Sequence, residues 1–207
     1  MTPLVLRADD PTALDAAVKV LERGEIVGMP TETVYGLGVM PLPAPLAALV
    51  VAKQRPLDKG IALLIDGLDQ VVHLVAVPEA AQRLARACWP GALTLVLPLL
   101  PGVVLPEAVT GGRATLGVRL PDHAIPRALA RRVGPLAVSS ANRSGEPDAR
   151  TTAELLAAVG PSLGVVIDDG PVRGGVPSTV VAVAADGGLT ILRAGALDLA
   201  ALQAATR

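Results

Sequence analysis

The sequence predicts an α/β fold: one domain built on a mixed sheet with helices on both faces. Three observations lead there. Short apolar runs such as GIALLID (60–66) and ALTLVLP (92–98) lack strict alternation, as strands covered on both faces do. Segments of helical period lie between them. The last two apolar runs, STVVAVA and LTILRAG, are joined by the turn ADGG, which pairs them antiparallel.

The elements follow in order. DDPTALDAAVKVLERGE predicts a helix, with Asp10 as N-cap, Pro11 in the first helical position, a stripe at Leu14, Val18 and Leu21, and Gly24 as the stop. EIVGMP predicts a short buried strand, followed by TETVYGLG, rich in glycine and hydroxyls. Residues 44–53 form a helix that ends before Pro56, and 60–66 a strand. Residues 68–76 and 78–88 predict two helices, the second opened by Pro78. Strands at 92–98 and 115–121 flank the loop PEAVTGGRA. A helix at 123–132, a strand at 136–140 and the polar loop ANRSGEPDAR come next. Thr151 and Glu154 form a capping-box pattern at the head of another helix. GVVIDDG, STVVAVA and LTILRAG close the sheet. No long linker or repeat divides the chain, so residues 1–207 are expected to be one domain, with a core over 5–195 and a C-terminal helix at about 196–205.

Composition narrows the function. With 51% hydrophobic and 18% charged residues the chain folds rather than remaining disordered. Phe is absent and Trp and Tyr occur once each, which disfavours base recognition on stacked aromatics. A net charge of −1 gives no bulk support for phosphate-driven nucleic-acid binding. The single cysteine, Cys88, excludes an internal disulfide and a multi-cysteine zinc site. MTPLVLRADDP has no signal-peptide pattern, and the apolar stretch 92–105 is too short and too broken to span a bilayer. The expectation is a cytoplasmic protein with no membrane partner.

No common catalytic motif is present: there is no GxxxxGK[ST], no GxSxG and no HExxH. His73 and His123 lack a metal-like spacing. What remains is a set of hydroxyls and cations at strand ends. They are Thr31 and Thr33; Lys53, Arg55 and Lys59; Thr115 and Arg119; Ser139, Ser140 and Asn142; Ser178, Thr179 and Arg193. Two of the chain's three lysines fall in KQRPLDKG (53–60). Arg119, near the end of an apolar strand, needs either an anionic ligand or an Asp or Glu partner. Cations suit a polyphosphate and a carboxylate, and hydroxyls suit neutral polar groups. Such a site works by positioning and charge stabilisation, the demand of phosphoryl or nucleotidyl transfer.

PTETVYGLG, KQRP with a following KG, WPGALTLVLP, GVRLP, SSANRSGEP, PSTVV and ILRAG occur in this order. Over residues 5–195 the chain resembles the short-form YrdC-type threonylcarbamoyl-AMP synthases, including their KxR…SxN signature. The resemblance implies a twisted sheet with a large positively charged cleft. It implies L-threonylcarbamoyladenylate synthesis from L-threonine, bicarbonate and ATP, with Mg²⁺, for modification of tRNA beside the anticodon. Downstream tRNA threonylcarbamoyl-transfer proteins are the implied partners, with weak RNA binding. By the same resemblance Thr33, Arg119 and Ser178 bind threonine. Lys53, Arg55, Lys59, Thr115, Ser140, Asn142 and Arg193 bind ATP, with Lys53, Arg55, Ser140 and Asn142 catalytic. Leu64 stands where longer members carry histidine. The alternatives are a carbamoyl-transfer relative and a non-catalytic module binding double-stranded RNA or tRNA in the same cleft.

Overall fold

The computed structural model describes residues 2–198 together with Ala200 and Leu202. The first half runs β1 (Leu4–Arg7), α1 (Ala13–Glu22), β2 (Ile26–Met29), β3 (Gly36–Val39), α2 (Pro43–Lys53), β4 (Ala62–Leu64), α3 (Glu79–Cys88) and β5 (Leu93–Pro98). The second half runs α4 (Glu107–Thr110), β6 (Thr115–Arg119), α5 (Ala124–Val133), β7 (Leu136–Ser140), α6 (Thr152–Val159), β8 (Leu163–Asp168), β9 (Thr179–Val183) and β10 (Leu189–Arg193).

All ten strands join one sheet in the order β1-β8-β2-β3-β7-β4-β6-β5-β9-β10. It is mixed: β8 is parallel to β1 and β2, β4 to β6, and β5 to β9, while the other neighbours are antiparallel. Successive side chains point to opposite faces, so the core divides. Val27, Met29, Leu136, Val165 and Ile167 pack under α1 and α5. Leu37, Leu63, Leu95, Leu116 and Val166 pack under α2, α3, α4 and α6 on the other face.

The α1/α5 face is covered only over part of the sheet. Register carries it from Val138 on β7 to Ala62 on β4, and from Gly117 on β6 through Val96 on β5 to Ala182 on β9. These five residues are all half-buried, while their neighbours in sequence are buried. Strand β9 therefore alternates between buried and half-buried positions, as does β6 until its buried pair Val118 and Arg119. These half-buried side chains line a strip of that face left partly open to solvent.

Several expectations change. Helix α1 starts at Ala13 with Thr12 as N-cap, because Asp10 turns to accept from the Thr12 N–H and hydroxyl, both at 2.7 Å. The expected helix at 68–76 is a 3-10 turn at Leu68–Gln70, since Val75 is drawn into a bridge with Leu99. Pro78 caps α3 from outside it. The strand expected at 60–66 spans only Ala62–Leu64, and PEAVTGGRA contains the single turn α4. Strands β1 and β3 were not read from the sequence. The capping box at α6 is half formed: Thr151 Oγ1 accepts from Glu154 N at 3.2 Å, but Glu154 Oε2 accepts from Arg150 N at 2.6 Å. The helix expected at about 196–205 falls mostly outside the described residues.

Candidate active site

Helix α2 carries buried Pro45, Leu46, Leu49 and Lys53 on its core-facing side. The 46–49–53 spacing is helical, so it turns Lys53 inward. Lys53 is only 1% exposed. Its ammonium donates to Ser140 O, to Asn142 O at 2.6 Å and to Asn142 Oδ1 at 3.0 Å. Three hydrogens meet three oxygens, and none is left for a ligand. Burial, reinforced by the Arg55 charge and opposed by Asp148, pushes the Lys53 pKa down to about 8. Ser140 Oγ donates to Asn142 Oδ1 at 2.6 Å, and Asn142 Nδ2 donates to Glu146 O at 2.6 Å. The loop after β7 is thus built around the Lys53 ammonium.

Beyond α2 the chain reverses at Gln54, in the left-handed region at φ 50°. This aims Arg55 at the strand-entry loop, where Nε donates to Lys59 O at 3.0 Å and Nη2 to Gly60 O at 2.9 Å. Lys59 is exposed. Gly60 is held closely: a Cβ there would lie 2.7 Å from Val109 O. Gly60 leads into β4 at the end of the sheet where parallel β6 begins with Thr115 and antiparallel β7 ends with Ser140. Lys59, Thr115 and Ser140 therefore share one end of the open face.

Four residues along β6 from Thr115 stands Arg119, about 13 Å away at strand rise and 7% exposed. Its Nε donates to Gly91 O at 3.1 Å, and its Nη2 to Glu32 Oε1 at 2.6 Å and Thr33 Oγ1 at 3.1 Å. Thr31 spends its hydrogen on Val34 O at 2.6 Å, so Thr33 donates to Thr31 across 2.9 Å. Ser178 Oγ lies 2.8 Å from Thr94 Oγ1. Arg193 Nη2 reaches Ser178 O at 2.8 Å and Ser178 Oγ at 3.2 Å. Gly195 permits this closeness, for a Cβ there would overlap the backbone of Ser178 and Thr179. Loss of solvent lowers the Arg55 and Arg193 pKa values, and like charge adds to it: Arg193 acts on Arg55, and Arg119 on Arg193. Asp148 acts the other way on Lys53 and Arg193. The cations of α2, β6 and β10 are thus linked by mutual charge: Arg55 acts on Lys53, Arg193 on Arg55 and Arg119 on Arg193.

Of the residues expected, Thr33 and Arg119 form one hub, Lys53, Ser140 and Asn142 a second, and Ser178 with Arg193 a third. Arg55 connects to them by charge. Lys59 and Thr115 line the far end with no hydrogen bond from their side chains to another described residue. Thr179, buried, holds the C-terminal segment instead, its Oγ1 donating to Leu197 O at 2.7 Å. Ser139 is buried beneath the sheet. His123 caps α5, accepting from Ile125 N at 3.3 Å, and sits 3.2 Å from Asp169. The sequence reading missed Glu32, Thr94 and Asp148. Glu32 was signalled by a carboxylate between two threonines in PTETVYG, and Thr94 by a hydroxyl inside an apolar run.

Among the described residues no three His, Cys, Asp or Glu side chains cluster as a metal site. No described helix is long and apolar enough to cross a membrane.

The chain is similar to several known proteins. A protein of Bacillus subtilis (strain 168) named threonylcarbamoyl-AMP synthase is 38% identical over 184 residues, 87% of this chain and 53% of its own. A Mycobacterium leprae (strain TN) protein named putative threonylcarbamoyl-AMP synthase is 38% identical over 187 residues, covering 89% of this chain and 84% of its own. The crystal structure of P. abyssi Sua5 complexed with L-threonine matches with a TM-score of 0.88 and 34% identity, over 99% of this chain and 60% of that one. The chain thus spans about half the length of the Bacillus relative. E. coli YciO, 22% identical with a TM-score of 0.83, shares the fold. A family model described as "Telomere recombination" (Sua5_yciO_yrdC) matches residues 19–195, and with this span matched the chain belongs to the Sua5/YciO/YrdC family.

Proposed function

We propose that this chain is an L-threonylcarbamoyladenylate synthase, a nucleotidyltransferase that makes threonylcarbamoyl-AMP and pyrophosphate from L-threonine, bicarbonate and ATP. The observation that carries the reading is the pairing of a buried, partly used guanidinium, Arg119, with a second cationic wall across one cleft. One end suits an amino-acid carboxylate and the other a triphosphate. The product serves tRNA modification in the cytoplasm, handed to separate threonylcarbamoyl-transfer proteins.

The threonine ammonium gives up its proton, and the free amine adds to bicarbonate with loss of water, giving a carbamate. A carbamate oxygen attacks the α-phosphorus; the new O–P bond forms as the bond to the bridging oxygen breaks, and pyrophosphate leaves. Arg119, Thr33 and Ser178 orient the amino acid. Arg55, Lys59 and Arg193 offset charge on the phosphates, with Thr115 beside them. Lys53 acts through the loop it holds, presenting Ser140 and Asn142. Mg²⁺, if it enters with ATP, would add further charge neutralisation on the phosphates beside Arg55, Lys59 and Arg193.

The test is pyrophosphate release from ATP, expected to require both L-threonine and bicarbonate. Equal release with serine, or with no amino acid, overturns the threonine assignment. Salt-sensitive RNA binding without pyrophosphate release would instead support the RNA-binding alternative.

A further inference from the structure

Arg119 does not present a bare positive charge. Glu32 already meets it at 2.6 Å, the Arg119 side chain 8% exposed and that of Glu32 20%. Nε and Nη2 are both engaged, and the unengaged donors are those of Nη1. The second Glu32 oxygen, Oε2, is buried and makes no hydrogen bond. An unmatched buried acceptor on a charged group is costly, and an N–H donor brought to it relieves that cost.

Other charges bear on this pair. Those of Glu32, Asp122 and Asp169 all act on His123, and that of Arg119 lowers the Arg193 pKa. Arg119 thus has the Glu32 carboxylate in contact and the Arg193 cation within electrostatic range.

We infer that Glu32 is a specificity-determining residue, making this end of the site select a zwitterionic α-amino acid over a simple carboxylate. The inference rests on the reading of Arg119 as the carboxylate contact. Arg119 and Glu32 together sum to zero charge. A carboxylate without an amine leaves a net negative charge beside the buried, unmatched Glu32 oxygen. A zwitterion adds none: its carboxylate meets Nη1, and its ammonium lies toward the Glu32 oxygen. Once the amine becomes a carbamate, the new anion is repelled from Glu32 toward Arg193 and Arg55, where the triphosphate is expected.

The experiment compares L-threonine with 3-hydroxybutanoate, which is threonine without its amine, by calorimetry on the wild-type protein and on Glu32→Gln. The wild type is expected to prefer threonine by about 10–100-fold, the scale of one charge-assisted contact. Glu32→Gln keeps an acceptor for Arg119 but removes the charge. It is expected to shrink that preference about tenfold, weakening threonine and strengthening 3-hydroxybutanoate. Glu32→Asp, which keeps the charge, retains the preference. If both ligands weaken together in Glu32→Gln, Glu32 merely holds Arg119 and the proposal is overturned. A wild type that binds both ligands equally overturns it without any variant. Absence of threonine binding to the wild type removes the Arg119 reading, and the proposal with it; an unchanged ratio alongside threonine binding defeats the proposal alone.

Discussion

A lysine ammonium with three oxygens around it loses one donor when it deprotonates, and Lys53 does so at about 8 rather than 10.5. Two opposite effects follow. Between those values the unfolded chain binds more protons than the folded one, so this group's contribution to stability rises with pH across that window, as the cost of a buried charge is relieved. Order at the loop moves the other way, because a neutral amine offers two hydrogens to three acceptors. The KM for ATP is therefore expected to climb as pH passes about 8 in the wild type. Lys53→Met, which keeps the stem, should raise the KM about 10–100-fold and remove that pH step; steady-state kinetics from pH 7 to 10 checks both. Arg55→Ala should slow ATP-dependent pyrophosphate release on the same scale, with an unchanged circular-dichroism spectrum. Wild-type kinetics in a folded Arg55→Ala protein would remove Arg55 from the site. The residue types of the site were legible in the sequence, whereas the way each one points was only partly so. The sequence reading did not turn Lys53 inward, although its 46–49–53 spacing does so, and which oxygens it meets depends on a loop nearly ninety residues away. Glu32 as the partner of Arg119 depends on the same kind of long-range closure.

At the scale of elements, the same logic decides which strands could be read. β3 is GLGV, weak in strand propensity. It is nonetheless central, because Val138 fills the space a side chain at Gly36 would need, with Cγ1 2.9 Å from its Cβ position, and Met29 fills the space at Gly38. Pairing with β2 and β7 overrides local preference there. Strands with apolar runs, and helices bounded by Gly or Pro, were legible because their signals are local. The partly open strip of the sheet follows from register. Gly117 faces the open side, and a Cβ there would approach Ala62 Cβ at 3.2 Å and Thr94 Cγ2 at 3.7 Å. Gly117→Val is expected to fill the strip and raise the KM for ATP or threonine while the denaturant midpoint changes little; unchanged KM values would mean that the strip carries no ligand. At the end of α2, Gln54 adopts φ 50° where glycine is at ease. Gln54→Gly should relieve left-handed strain yet loosen the unfolded chain, leaving a gain of about 0.5 kcal/mol in urea unfolding. A β-branched residue there should cost about 1–2 kcal/mol.

Across the whole molecule, the site draws on segments that the chain order keeps far apart. Thr33 follows β2, Arg119 ends β6, Asn142 follows β7, Ser178 precedes β9 and Arg193 ends β10. These strands belong to one ten-stranded sheet. A ligand bridging them is linked to unfolding of the sheet as a whole rather than to one hairpin. Binding only to the folded state adds about 2.7 kcal/mol at a hundredfold excess over Kd. For a chain of this length that corresponds to a rise of roughly 5–10 °C in melting temperature. ATP and L-threonine, each at saturation, should therefore raise one shared transition, seen at the same temperature by far-UV circular dichroism and by differential scanning calorimetry. The two ends of the cleft then separate by variant. Arg119→Ala is expected to abolish the threonine shift and spare most of the ATP shift, and Arg55→Ala to do the reverse. A melt that splits into two transitions on adding ATP would mean that the ligand grips only part of the sheet. Loss of both shifts in either single variant of native circular dichroism would mean that the cleft is one indivisible site, with no separate amino-acid and nucleotide ends.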